Sequence, residues 1–373
     1  MRLLIATGPF PPEAGGPATY VKLLMDELPS RGVSVDVLPF RAVARFPYGI
    51  KHLLYFAKLL VRGRNADYIF AQDPVSVGLP ALVAAKLLRK RFFLRVGGDY
   101  AWEQGVQRWK VRESLDAFVA SSRRYPFGVR LLAAIEKKVA REAEAVIVSG
   151  RYLQRVVSRW GIAPEKIHVV YNAFAPATDV RESKEELKRS LRISGRSIMS
   201  IGRLVPWKGM QKVIESFAAL RAEFPDAQLF IAGDGPQRTR LEETSRRCGT
   251  TSAVHFLGTL PQEELFRYLK AADAFVLNTG YEAGLSYQIL EAMHIGTPVV
   301  TTSAGDNGEL ITDGKNGFLV PYDDGDALAE VLRKILSGSV DSAAIGAEAR
   351  RATGRYTPSR MADETVRVLT TRT

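Results

Sequence analysis

Residues 272–302, ADAFVLNTGYEAGLSYQILEAMHIGTPVVTT, leave the chain few folds to choose from. Residues 274–278 are a short apolar run, long enough for a buried strand and too short for a helix. Residues 279–284 contain two glycines and read as a loop. From Leu285 the apolar residues fall at Leu285, Ile289, Ala292 and Met293, the spacing of one helix face. Gly296 stops that helix and Pro298 keeps it from restarting. The β-branched residues 299–302 then form the next strand. Strand, loop, helix and strand make a βαβ unit, which belongs to a parallel sheet.

Two carboxylates sit on this unit. Glu282 is in the loop, and Glu291 lies six residues past Leu285, roughly 9 Å further along the helix axis. The backbone N–H groups around Leu285 and Ser286, reached through Gly284, favour an anion together with the helix dipole. A phosphate there would have an acid on either side. A nucleotide sugar needs that layout: sugar hydroxyls, diphosphate, ribose hydroxyls. Taken alone, the two acids read as well as a solvated loop acid and a good helix former, so the rest of the chain has to decide.

At 373 residues the chain has room for two ordinary domains. The single cysteine, Cys248, excludes an intrachain disulfide and suits a reducing cytosol. No signal peptide is expected, because the apolar run after Arg2 ends at Ala6, ahead of Pro9, Pro11 and Pro12. No stretch reaches the ~18 apolar residues that cross a membrane. The net charge of +12 is lopsided: residues 1–180 hold 27 Lys+Arg against 15 Asp+Glu, and residues 181–373 hold 25 of each. The first half therefore predicts an anionic partner: phospholipid, lipid phosphate or nucleic acid.

In that half, residues 3–7 read as the first strand and residues 8–16, GPFPPEAGG, as a loop into a helix with the apolar face Val21, Leu24, Met25 and Leu28. Gly15 and Gly16 either let a ligand approach the backbone or serve a simple tight turn. The GxGxxG dinucleotide fingerprint is absent. Residues 33–38 form a second strand. Residues 37–66 carry no acid and six cations. They predict a crossover helix over 50–61, laid on the sheet by Leu53, Leu54, Ala57 and Leu60, with a basic rim suited to a membrane surface. Further strands are expected at 68–71, 92–96, 145–149 and 167–171. The strand 92–96 runs into Gly97-Gly98-Asp99-Tyr100. Catalytic groups of open α/β sheets lie beyond the carboxyl ends of strands. Asp99, flanked by Arg95 and Glu103, is thus the acid candidate of this half, with a helix cap as its alternative role.

Residues 175–182 read as a linker. Beyond it, strands at 197–202, 228–233, 254–258 and 318–320 alternate with helices. The strand-to-helix loop Gly202-Arg203-Leu204-Val205-Pro206-Trp207-Lys208-Gly209 carries two cations, Arg203 and Lys208, placed to clamp a diphosphate. The strand count predicts an α/β fold of two doubly wound parallel sheets.

With these residues assembled, the chain resembles the family 4 glycosyltransferases, which have the GT-B architecture of two Rossmann-like domains facing a central cleft. The resemblance covers most of the chain and is strongest over 197–322. It is carried by GRLVPWKG, AGDGP, FLGTLPQEEL, the Glu282 and Glu291 helix with EAM and GTPVV, and DGKNGFLVP. It implies an acceptor-binding domain over 1–176, a nucleotide-sugar-binding domain over 177–357, and a last helix, 358–370, that crosses back to the first. It implies Arg203 and Lys208 on the donor diphosphate, Glu282 at the donor sugar and Glu291 at the ribose; Gly202, Gly284, Leu285 and Ser286 are the further donor-binding candidates. Gly15 and Gly16 would approach donor and acceptor. Retention of anomeric configuration is implied, with a nucleotide-sugar substrate, no metal and no other cofactor. The acceptor would be a hydroxyl of a glycan or a lipid-linked molecule. There are two departures. One more residue separates the glutamates than the family commonly has, which places Ala283 in the loop. Many members also carry a His where this chain reads GGDY, and Asp99 would take part of its role.

The chemistry expected of such a site follows from charge. Cleaving sugar from diphosphate leaves positive charge on the sugar and negative charge on the phosphate, which Arg203, Lys208 and the helix start would stabilise. The Asp-x-Asp pattern occurs once, at Asp324-Gly325-Asp326, away from both site loops, and no metal is expected. The leaving phosphate oxygen could accept the acceptor's proton. A nucleotide-sugar epimerase or a sugar phosphorylase on the same architecture remains the rival enzyme class. A nucleic-acid binder is the rival from the charge, but the recognised modules are absent and no nucleic-acid partner is expected. The expected location is cytoplasmic, at the inner face of the membrane through the basic half.

Overall fold

The structure, a computed structural model, describes residues 1–11, 13, 16–121, 125–175 and 180–371. Gly15 and part of the expected linker lie outside the described residues. The chain divides into two compact units, Met1–Ala173 with Tyr356–Thr373, and Phe174–Arg355.

The first unit runs β1 (Arg2–Thr7), α1 (Gly16–Glu27), β2 (Ser34–Pro39), α2 (Tyr48–Gly63), β3 (Tyr68–Ala71), α3 (Gly78–Leu88) and β4 (Arg91–Val96). It continues with α4 (Tyr100–Trp109), α5 (Leu115–Ser121), α6 (Phe127–Glu142), β5 (Ala145–Val148), α7 (Arg151–Ser158) and β6 (Ile167–Val169). The second unit runs α8 (Lys184–Ser190), β7 (Ser197–Ile201), α9 (Met210–Leu220), β8 (Gln228–Ala232), α10 (Arg238–Arg247) and β9 (Val254–Gly258). After these come α11 (Gln262–Ala271), β10 (Ala274–Leu277), α12 (Tyr287–Ile295), β11 (Val299–Thr301), α13 (Asn307–Leu310), β12 (Phe318–Leu319), α14 (Gly325–Leu336) and α15 (Ser342–Thr353). The last helix, α16 (Pro358–Thr370), belongs to the first unit.

Each unit is built on a six-stranded sheet, in the orders β2-β1-β3-β4-β5-β6 and β12-β11-β10-β7-β8-β9. Every strand pair is parallel. Strands covered on both faces read as near-continuous apolar runs, as β1, β4 and β5 do. The chain reverses its direction of travel across the sheet at β1/β3 in the first unit and at β7/β10 in the second. Such reversals open a crevice at the carboxyl ends of the strands. In the first core, Leu3, Ile5, Phe70 and Phe93 from the sheet meet Tyr20 and Leu24 of α1 and Met361 and Leu369 of α16. The second core gathers Ile198, Leu229 and Val276 from the sheet with Phe217 of α9 and Leu332 of α14.

Two expectations need correction. The crossover helix α2 forms, but half of its predicted packing face turns outward: Leu53 is 70% exposed and Ala57 is also exposed, while Leu54 and Leu60 are half-buried. The row Tyr55, Leu59 and Gly63 faces the sheet instead. The Tyr55 hydroxyl donates to Leu38 O at 2.8 Å. Gly63 lets the helix close down on its neighbours, since a Cβ there would lie 2.8 Å from Leu88 Cδ1 and 3.2 Å from Ile69 Cδ1. Residues two apart on a helix point to nearly opposite sides, so the row Leu53, Ala57 and Val61 faces outward. The helix expected from Leu285 begins at Tyr287, with Ser286 as its N-cap. Leu285 is buried without being helical.

Candidate functional site

The switch point of the second sheet brings two loops together. β10 lies beside β7, so the loop after β7, residues 202–209, meets the loop after β10, residues 278–286. Gly280 N donates to Trp207 O at 2.8 Å, and the Thr279 hydroxyl donates to the same oxygen at 3.1 Å. Gly209 sits at φ +59°, where a Cβ would lie 1.8 Å from Asn278 O. The loop after β11 closes from behind. The Thr302 hydroxyl donates to Thr279 O at 2.6 Å, and a Cβ on Gly305, at φ +60°, would lie 2.1 Å from Glu282 O.

This framework pairs two of the expected site residues with each other. Lys208 Nζ donates to Glu282 Oε1, and both residues are buried. The sequence had placed Lys208 at the diphosphate and Glu282 at the sugar, with no contact between them. Arg203 is exposed, with its guanidinium carbon 5.6 Å from the Trp207 ring centroid. One cation is thus paired with a buried acid and the other stacks at the surface on Trp207. Gly202 closes β7, its N–H donating to Ala232 O at 3.0 Å.

Gly284, at φ +78°, turns the chain toward α12. The Ser286 hydroxyl donates to Gln288 Oε1 at 2.8 Å and makes no cap bond to the helix backbone. The first turn of α12 is therefore uncapped by its own N-cap side chain, the condition under which a helix start accepts an anion. Glu291 lies one turn further in. Gln262 Nε2 donates to its Oε1 at 3.4 Å, and burial pushes its carboxyl up to about 7. The sequence missed Asn278, at the end of β10, whose carboxamide Nδ2 and Oδ1 are both buried without a partner.

At the carboxyl edge of the first sheet, Asp99 is the N-cap of α4, its Oδ1 accepting from Trp102 N at 2.8 Å. It is buried beside Glu136, which accepts from Tyr100 N at 2.6 Å. Burial raises both carboxyls, Asp99 to about 6, and the charge of Asp99 pushes Glu136 further up. Asp99 therefore fills the cap role that the sequence had left open beside the catalytic one. Arg95 is the residue whose weight the sequence understated. It is buried, with its guanidinium carbon 4.0 Å from the Tyr20 ring centroid and Nη2 donating to Asn172 Oδ1 at 2.8 Å. Its Nε and Nη1 have no acceptor among the described residues. Gly16 opens α1.

A cavity of about 340 Å³ flanks the loop after β7, lined by Val205, Gly209, Lys212, Gln237, Arg240 and Tyr322, among others. Lys208, Glu282 and Glu291 do not line it. Among the described residues no group of His, Cys, Asp or Glu is placed to hold a metal ion, and no helix is long and apolar enough to cross a membrane.

Residues 183–354 match the family described as Glycosyl transferases group 1, and residues 26–173 match the Glycosyl transferase 4-like domain. A GDP-mannose-dependent monoacylated alpha-(1-6)-phosphatidylinositol monomannoside mannosyltransferase of Corynebacterium glutamicum is 27% identical over 370 residues, 94% of this chain and 92% of the relative. A GDP-mannose-dependent alpha-(1-6)-phosphatidylinositol monomannoside mannosyltransferase of Mycolicibacterium smegmatis is 27% identical over 374 residues, 93% and 92% of the two chains. Among solved structures, Anabaena HepE in complex with UDP-glucose has a TM-score of 0.78 at 20% identity over 99% of both chains, a likeness of fold.

Proposed function

Because this chain belongs to the group 1, or family 4, glycosyltransferases and is a nucleotide-sugar-dependent enzyme of the GT-B fold, we propose that it transfers mannose from GDP-mannose, with retention of configuration, to a hydroxyl of a lipid-linked glycan. The observation that carries the reading is the buried Lys208–Glu282 pair at the β7/β10 switch point, beside the uncapped start of α12.

The second unit holds the donor. Its diphosphate lies between the α12 start and the cations Arg203 and Lys208, which stabilise the charge that builds on the leaving phosphate. Glu282 orients Lys208 and accepts from the hydroxyls of the sugar. Glu291 accepts from the ribose hydroxyls. The first unit holds the acceptor. Buried Arg95 supports an acceptor that carries a phosphate, since a buried guanidinium with two nitrogens lacking an acceptor among the described residues calls for an anion. Asp99 acts by fixing the start of α4. The leaving phosphate oxygen takes the acceptor's proton as the new bond forms, so no separate base is needed. The reaction takes place at the cytoplasmic face of a membrane.

The relatives' common donor and their phosphatidylinositol mannoside acceptors support the choice of GDP-mannose and of a lipid. A thermal-shift screen of GDP-, UDP- and ADP-sugars tests the donor. GDP-mannose at 100 times its Kd should add ~2.7 kcal/mol of stability. Incubating the stabilising donor with a lipid-linked mannoside, a free oligosaccharide or inorganic phosphate then tests the acceptor. Donor isomerisation or release dependent on phosphate, in place of transfer, would overturn the reading.

A further inference from the structure

Nine large apolar side chains are exposed among the described residues, and eight of them belong to the first unit, on α2, α3, α4 and α6. These helices adjoin one another: α2 packs on α3, α3 on α6, and α4 on α6. The outward row of α2, with Leu53 and Val61, continues over Val83 and Leu87 of α3 and over Phe127 and Leu131 of α6. Phe127 is 77% exposed. Trp109 at the end of α4 joins it, lying so close to α6 that a Cβ on Gly128 would come within 2.7 Å of Trp109 Cζ2. Each apolar pair within α3 and α6 is spaced i, i+4, so each helix turns one apolar stripe outward.

The exposed charges of α2, α3 and α6 that lack an ion-pair partner among the described residues are cations. Neither α2 nor α3 contains an acid. Of the two acids on α6, Glu136 is buried and Glu142 is held by Lys86 at 2.7 Å. Lys58, Arg64, Arg89, Arg130 and Lys138 stand exposed on or just beyond the three helices. An apolar surface studded with cations and bare of free acids complements a surface that is apolar beneath and anionic at its rim. A second copy of this chain docking through the same face would set cations against cations.

We propose that the α2–α3–α6 face is a membrane-docking surface, with Leu53, Leu87 and Phe127 entering the headgroup–acyl boundary of an anionic bilayer while the cations bind lipid phosphates. The surface rests on the lipid-acceptor reading for its purpose only; its geometry stands without it.

The full-length chain is mixed with vesicles of phosphatidylcholine alone, or of phosphatidylcholine with phosphatidylglycerol, without donor or acceptor, and co-sedimentation is measured. Binding should require phosphatidylglycerol and weaken as salt rises. The variant Leu53→Asp with Phe127→Asp alters two exposed side chains. It should keep its melting temperature and its turnover on a water-soluble acceptor, and lose vesicle partitioning by at least ~10-fold. A milder pair, Leu53→Ser with Phe127→Ser, repeats the measurement should the first variant be poorly folded. Equal partitioning of variant and parent would overturn the proposal. So would equal binding to neutral vesicles, or a dimer in solution that the substitutions dissolve. Vesicle binding without transfer to any lipid acceptor would uphold the surface and remove the acceptor reading. Transfer to a lipid acceptor in detergent by a chain that ignores anionic vesicles would do the reverse.

Discussion

Lys208 and Glu282 neutralise each other at the carboxyl edge of the second sheet, 74 residues apart in the chain. Removing one partner of a buried pair leaves the other charge stranded, at a cost of about 3–5 kcal/mol, whereas replacing both by apolar groups is often nearly neutral. Lys208→Ala should therefore lower both stability and kcat/KM, the latter by at least ~10²-fold. The double variant Lys208→Met with Glu282→Leu should regain most of the stability and none of the turnover. Urea melts alongside steady-state kinetics check this. A double variant that recovers activity would make the pair structural only.

On the proposed ribose role, Glu291 gives donor binding a pH signature. Its folded carboxyl titrates near 7 because burial disfavours the charge. Ribose hydroxyls donate, so the ionised form is the better acceptor, and donor binding must expel the proton. Affinity for the intact sugar nucleotide should rise by up to ~10-fold per pH unit below that pKa and level off above it. The sugar diphosphate itself stays fully ionised throughout. Titration calorimetry on the parent and on Glu291→Gln tests the assignment: the variant's affinity should be weak and flat with pH.

The outward turn of Leu53 on α2 predicts an inverted pair of core substitutions. Leu59 is fully buried and Leu53 is not. Leu59→Ala should cost ~2–5 kcal/mol, while Leu53→Ala should stay within ~0.5 kcal/mol of the parent. Chemical denaturation of the two variants decides between the faces.

Asp99 predicts a stability change with a definite sign. Its folded pKa, about 6, lies above the ordinary carboxyl value of 3.8, so the folded chain holds the proton more tightly than the unfolded one. That contribution is fully present below the unfolded pKa and is lost as pH rises through the folded one. Asp99→Asn keeps a capping oxygen and cannot ionise. Its stability should decline less than the parent's as pH rises through that window, with kcat within ~10-fold of the parent's, while Asp99→Ala should cost ~1 kcal/mol through the lost cap. A ~10³-fold loss of kcat in Asp99→Asn would instead assign the carboxylate a direct part in the chemistry.

The strands were legible from sequence because a strand buried on both faces is an apolar run bounded by turn residues, and each of the twelve expected runs became a strand within a residue or two at its ends. Helix faces were harder. α2 is apolar on both its rows, and only the Tyr55 hydroxyl and the space at Gly63 decide which row turns inward. At α12, burial of Leu285 mimicked a helical position that the backbone does not adopt. The loops at 202–209 and 278–286 were legible because each follows a strand. Their pairing was not, since the Lys208–Glu282 contact exists only once β10 is inserted beside β7. Asn278 gave no signal and Arg95 was noted only as a neighbour of Asp99, because an unsatisfied polar atom is a property of surroundings and not of a residue type.

The two glycines that let the loops touch, Gly209 against Asn278 O and Gly305 against Glu282 O, bind the donor end into an inheritance unit. Three chain segments, 202–209, 278–286 and 302–306, share one interlocked backbone surface, so a change of path in one displaces the others. Recombination that exchanges a single segment between relatives should break the site, whereas exchange of all three should carry sugar preference with it. Divergence of donor choice on this scaffold is then expected to proceed by side-chain replacement on a conserved backbone, or by co-inheritance of the three segments, and not by drift of one loop at a time.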